Sequence, residues 1–286
     1  MRRSEIKTGV IVLLIIACAS APASAAISIK LRGGLTFLLQ SDYNRGMKGL
    51  YDYYGDSQQG LAGQYKLFSA GQDYGGEIII SPWRNMGIGF GAGFLQAGVL
   101  NSVSYRDLTY TIRESYEPNL RVIPLTLNLH AFFPLSRRLW IDIFGGAGYY
   151  FAKFEHRSGR EADFFSYSET RTFDADKNTV GLQGGLGLEL RLGSHFAFCA
   201  EIDGRYAELS NVQGNWTERV AWFLGEADDQ GSGAPFWFYE KNVSGTTYPQ
   251  VAFSGTRPAD PSYGNIRRGT LSLSGISASA GAKITF

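Results

Sequence analysis

Ten ionisable residues stand inside otherwise apolar, alternating segments: Lys30, Arg32, Glu77, Asp142, Glu189, Arg191, Glu201, Asp203, Arg205 and Lys283. Five are basic and five acidic, so the set can either line a conducting path or neutralise itself as a packed salt-bridge network. The three histidines are His130, His156 and His195. Only His130 lies in mid-segment in phase with the charges, where a hydrogen-bonded structural role is expected. A hydrolase acting on lipid would need a Ser and a His side by side on the lipid-facing surface, and no such pair can be picked out. The stretch GIGFGA, Gly87 to Ala92, fits a dinucleotide-binding pattern, but strand alternation continues where a helix should begin. Its glycines Gly87, Gly89, Gly91 and Gly93 instead fall on one face and leave room for long side chains from across a narrow space. No His/Cys/Asp grouping has metal-ligand spacing. Neither an enzyme, a cofactor nor a metal is expected.

The elements that carry these charges repeat with a period of two. Residues 27–39, 73–81, 87–98, 121–133, 139–153, 179–192, 196–206 and 276–286 each alternate apolar and polar positions, which predicts eight strands. Short connections (PWRNM, PLSRR, GSH) join strands 2 and 3, 4 and 5, and 6 and 7. The other connections, over 40–72, 99–120, 154–178 and 207–275, are long. That alternation of lengths predicts an all-β fold: an eight-stranded antiparallel up-and-down transmembrane β-barrel with short periplasmic turns and four long extracellular loops. A water-soluble barrel would turn its apolar face inward. Here the charges lie in mid-strand, and an Arg or Lys facing lipid at the midplane costs roughly 2–4 kcal/mol. The charged face must therefore line the interior and the aliphatic face must meet lipid. An interior of eight strands is just wide enough for side chains to fill, which favours a plugged network over a narrow solute pathway.

Aromatic residues mark two levels. Trp83, Phe133, Phe196 and Phe286 fall beside the short turns or the chain end, and Phe37, Tyr74, Phe94, Tyr149 and Phe151 beside the long loops, as expected of interfacial girdles. In the loops, Tyr51, Tyr53 and Tyr54 and the run Phe236, Trp237, Phe238 and Tyr239 are candidate binding residues. Exposed aromatics of this density must fold back on the barrel mouth, touch the outer leaflet or bind a ligand. Leu271 and Leu273 stand out of phase with Ile276, which predicts a bulge near Gly275 or an extension above the membrane.

The first 25 residues read as a cleavable export signal, with basic Arg2, Arg3 and Lys7, an apolar run from Val10 to Ala17 and small residues before a cleavage between Ala25 and Ala26. The alternative is lipidation at Cys18, the last residue of LIIAC, a stretch that resembles a lipobox. Residues 26–286 then form one barrel domain. Without the signal the chain has 24 basic and 25 acidic residues, a balance that suggests no nucleic-acid partner. Cys199 is left alone, so no disulfide framework is expected.

Residues 27–286 resemble Gram-negative outer-membrane β-barrels of the eight-stranded OmpA/OmpX/OmpW type. The segment IPLTLNLHAFFPLSRRLWIDIFGGAGYYF, Ile123 to Phe151, is similar to the strand-turn-strand segment of the outer membrane protein beta-barrel domain family. Phe286 matches the terminal Phe read by the barrel-assembly machinery, although positions 278, 280 and 282 carry only small residues. The resemblance implies an outer-membrane location, a porin-like monomer, and contact with outer-membrane lipid, lipopolysaccharide and the assembly machinery. An extracellular ligand would meet the loops. A surface protein with a plugged interior is the leading expectation, an OmpW-like channel for small or apolar solutes the second, and a lipid A-modifying enzyme the third.

Overall fold

A computed structural model describes residues 26–286 apart from 108–109 and 164–165. The export signal, the Cys18 alternative and the Ala25 side of the cleavage site lie outside the described residues. Fifteen strands and one helix follow in chain order: β1 (Ala26–Leu38), α1 (Ser41–Ser57), β2 (Gln59–Gln64), β3 (Ala70–Trp83), β4 (Met86–Gly98), β5 (Asn101–Asp107), β6 (Tyr110–Pro134), β7 (Leu139–Ala162), β8 (Tyr167–Arg191), β9 (Phe196–Leu209), β10 (Gln213–Trp222), β11 (Gly225–Val243), β12 (Thr246–Phe253), β13 (Tyr263–Arg268), β14 (Leu271–Ser272) and β15 (Gly275–Thr285).

The fold is all-β and its strand pairs are antiparallel. Pairings run β1–β3–β4–β6–β7–β8–β9–β15 and return to β1. The closing pair is continuous from Ser28↔Thr285 to Leu38↔Gly275, so the first and last strands leave no open edge, which hydrocarbon would not tolerate. Outward side chains along this ring are apolar and exposed, among them Leu31, Leu127, Leu129, Leu182, Leu186 and Ile202. Nearly all the aromatics named at the two levels are exposed as well, including Trp83, Phe133 and Phe286 at one end and Phe37, Tyr74 and Phe94 at the other.

The long connections differ from the expectation. Residues 154–162 and 167–178 are not loop but strand: β7 and β8 stay paired without a break from Leu139↔Leu190 to Ala162↔Tyr167. At ~3.4 Å per residue a strand needs only about 8–11 residues to cross a barrel's apolar band, so the outer half of this hairpin projects well beyond it. Residues 99–120 likewise form β5 and the start of β6. Residues 40–72 contain α1 and β2, and 207–275 contain β10 to β14. Their mixed composition hid the alternation because neither face of a projecting arm needs to be uniformly apolar.

No bulge separates β14 from β15. Leu271↔Leu209 and Gly275↔Arg205 lie in one continuous register against β9. Leu271 and Leu273 therefore share the inward face of Ser277 and Lys283, and both are fully buried. What changes along the strand is the chemistry of the interior, from charged to apolar.

The closing pair is tight. A Cβ on Gly281 would lie 2.0 Å from the Leu31 carbonyl oxygen, an atom of the neighbouring backbone that cannot yield without breaking the β1–β15 ladder. Gly281→Val is expected to cost about 2 kcal/mol or more and to lower the urea midpoint of the refolded protein, whereas Ala280→Val, on the exposed face, leaves it unchanged.

Candidate functional site

The alternation of β1 sends Lys30 inward, where its ammonium meets three carboxylates: Glu201 at 2.8 Å, Glu77 at 2.9 Å and Asp142 at 3.8 Å. Glu77 is its register partner on β3, while Glu201 and Asp142 reach across the interior from β9 and β7. His130 sits between two of these acids, its Nδ1 3.0 Å from Asp142 and its Nε2 3.2 Å from Glu77. The amide of Asn128 donates to Glu77 at 2.7 Å and that of Gln183 donates to the Asn128 oxygen at 2.9 Å. Gly89 makes the space, since a Cβ there would stand 2.3 Å from a Glu77 oxygen and 2.7 Å from His130.

Lys283 is the register partner of Lys30 across the closing pair. The two like charges diverge: Lys283 turns to Glu189 and lies over the Phe132 ring. On the other side of Lys30, Arg32 bridges Glu201 at 3.3 Å and Asp203 at 3.4 Å. Beyond it Arg205 donates to the Leu273 carbonyl at 2.9 Å and lies 3.8 Å from Asp73, which also accepts from Ser277 at 3.1 Å. Arg191 stands apart. It lies at the short-turn rim, part-exposed, with its guanidinium 3.6 Å from the Trp140 ring centroid. Sequence reasoning missed Asp73, Asn128 and Gln183, although Asp73 stands in phase with Glu77 and Asn128 in phase with His130. The network joins β1, β3, β6, β7, β8, β9 and β15, and its side chains are mutual partners, with His130 occupied on both ring nitrogens.

Directly above lies an apolar layer. Leu38, Leu95, Leu120, Val122, Ala207, Leu209, Leu271 and Leu273 converge on Tyr43 and Met47 of α1 and on Phe154, Phe173 and Phe236. The helix presents one face inward because its buried residues recur at 42, 43, 46, 47 and 49. Gly46 and Gly49 allow close approach to β12, since Cβ atoms there would meet Val251 at 2.3 Å and the Pro249 carbonyl at 2.0 Å. At the helix start Asp42 takes a two-pronged bond from Arg267, at 2.6 and 2.7 Å, and accepts from the Thr270 amide.

The seven aromatic binding candidates are committed within this cover. Phe236, Trp237, Phe238 and Tyr239 are all buried. Phe236 stacks on Phe253, Trp237 donates to the Ser254 carbonyl, Arg267 lies over Phe238 and Tyr239 donates to Gln250. Of the three alternatives for this run, folding back is the one that its burial matches, and the exposed ligand-binding alternative is corrected: β12 and β13 pair on the two sides of β11. Tyr51 donates to the Gly63 carbonyl, Tyr53 lies 4.0 Å from the Lys241 ammonium, and Tyr54 stacks on Tyr105. All three belong to α1 and are part-buried, not tips of a loop. Between the cover and the paired arms a cavity of about 410 Å³ is lined by Leu50, Tyr116, His156, Trp216 and Phe253, with Arg171 and Glu218 paired at 2.8 Å.

His156, within the 154–178 stretch expected as a loop, lies in β7, buried against this cavity. The Tyr43 hydroxyl and its Nδ1 share a hydrogen bond at 3.1 Å, and burial pushes the imidazole down to about 3.

With the fold and interior in view, comparison with known proteins defines the class. Residues 10–222 match the model of the family described as "Outer membrane protein beta-barrel domain". The chain belongs to that family. Among solved structures it is similar to a major outer membrane protein from Thermus thermophilus, at 12% identity over 92% of this chain and 100% of that one, with a TM-score of 0.38. It is also similar to the outer membrane protein OprG from Pseudomonas aeruginosa, at 12% identity over 92% of this chain and 96% of that one, with a TM-score of 0.35. No curated protein matches the chain.

Two outcomes follow from the site. Lys30→Met strips the common cation from Glu77, Asp142 and Glu201 and is expected to lower stability by about 3–5 kcal/mol in urea titrations, with part recovered by adding Glu201→Gln. His156 binds its proton in the folded state only near pH 3, against an ordinary value of 6.5. Its contribution is therefore complete above about pH 6.5 and is lost as pH falls from there toward 3, because the opened form takes up the proton that the closed form refuses. Near-ultraviolet circular dichroism melts of the cover should show a midpoint falling with pH over that window, and a flatter dependence in His156→Phe.

Proposed function

We propose that this chain is a non-enzymatic surface protein of the bacterial outer membrane. In this reading the ring is an eight-stranded transmembrane barrel, monomeric, with its short turns in the periplasm and its paired arms outside the cell. The interior is plugged, and the arms and their cover contact lipopolysaccharide or an extracellular ligand. The observation that carries the proposal is the clasp of Lys30 by Glu77, Glu201 and Asp142 directly beneath the apolar layer centred on Tyr43 and Leu273. A permeating ion would have to displace both a compensated charge network and a buried apolar layer. Non-enzymatic character is supported by the engagement of His130 with two carboxylates and of His156 with Tyr43. Phe286, exposed beside the closing strand, suits recognition by the assembly machinery.

A narrow path for small or apolar solutes is the competing reading. The apolar wall of the outer cavity, with Leu50 and Phe253, favours it. Planar-bilayer recording on refolded mature protein decides between them. The plugged barrel is silent. Stepwise conductance that vanishes on Arg205→Gln would sink the plugged reading in favour of the path.

A further inference from the structure

The short-turn end of the ring holds a second cavity, of about 360 Å³, that the plugged interior does not use. Its charged lining is Arg84, Arg191 and Lys283, joined by the His195 imidazole, and among the described residues no Asp or Glu lines it. Ser28 and Thr285, whose hydroxyls bond each other at 2.9 Å, line the same space. The three short turns around it carry Arg84, Arg137, Arg138 and His195 and no acidic residue.

The cations there are only partly answered. Lys283 is matched by Glu189. Arg191 comes no closer than 3.9 Å to the same carboxylate, and Arg84 makes no ion pair among the described residues. Stacking on Trp140 at 3.6 Å fixes the plane of the Arg191 guanidinium and leaves its edge donors available. A cavity of this size fits a small ligand. Two guanidinium forks, with the remaining donors of the part-engaged Lys283 ammonium, exceed what the two oxygens of a carboxylate can accept, but they suit the three or four oxygens of a phosphate.

We infer that this cavity binds a phosphate group, carried either by a phospholipid headgroup of the adjoining leaflet or by a small soluble phosphate. Exposed Trp83 and Phe196 at its rim provide an apolar seat for the glycerol of a headgroup. Anion binding depends on the cavity alone. Only its assignment to the periplasmic side rests on the orientation proposed above, so a conducting barrel would leave it intact.

The test uses the full mature chain refolded in neutral detergent at low ionic strength, where screening is weak. Inorganic phosphate is titrated by calorimetry, and phosphatidylglycerol adducts are counted by native mass spectrometry. Arg84→Gln with Arg191→Gln should weaken binding by about tenfold or more, the range for loss of charge-assisted hydrogen bonds. Arg84→Gln alone, in an exposed turn, secures the test if the double variant does not fold and should weaken binding several-fold. Binding of inorganic phosphate indicates a soluble ligand, and adducts with phosphatidylglycerol alone indicate a headgroup; either outcome supports the site. Absence of binding by the wild type to both probes, or unchanged affinity in the variants, overturns it.

Discussion

Every peptide N–H and C=O in a strand that meets hydrocarbon must find its partner in a neighbouring strand, because lipid offers none. In this chain that requirement falls on the pairing of β1 with β15, held from Ser28↔Thr285 to Leu38↔Gly275. Once that ladder closes the ring, each inward residue has a fixed set of neighbours across a narrow space. Lys30 and Lys283 are brought opposite each other by the same ladder, and their divergence toward Glu201 and Glu189 follows from it. The glycines of β4 are a further consequence: Gly89 stands where Glu77 and His130 need room.

The interior is stratified along its length. Charges occupy the middle, held by amide and imidazole bridges from Asn128, Gln183 and His130. Leucines and aromatics occupy the outer end, where α1 lies across them. In the plugged reading proposed above, these two layers would exclude a passing ion by different physics: the network leaves no uncompensated charge to attract it, and the apolar layer would deny it hydration.

Beyond the ring, the arms are stabilised mainly by burying their own aromatics. Phe253 packs against Phe173, His156 and Phe236 within 4.5–5.2 Å of their ring centroids, and three arginines lie over Phe238 and Trp237. Aromatic area of this order contributes far more to docking the cover than the exposed ion pairs of the arms, which are individually worth little. The aromatic run that looked like a ligand platform is thus the cover's own core.

Alternation along a strand determines which side each residue faces, and this was legible in the sequence. The inward position of Lys30, Glu77 and Glu201 and the outward position of Leu127 and Leu186 follow from a period of two and the cost of a charge in lipid. Partners were not legible. Glu201 meets Lys30 from 171 residues away, a contact set by register and ring closure that no local spacing encodes. Nor did the pattern announce that 154–162 and 167–178 continue as paired strand, since arms in water need no uniform apolar face. Leu271 and Leu273 condense the distinction. Their phase was visible in the sequence, but only the continuous register against β9 and the helix packed above them decided that an inward face could turn from charged to apolar within one strand.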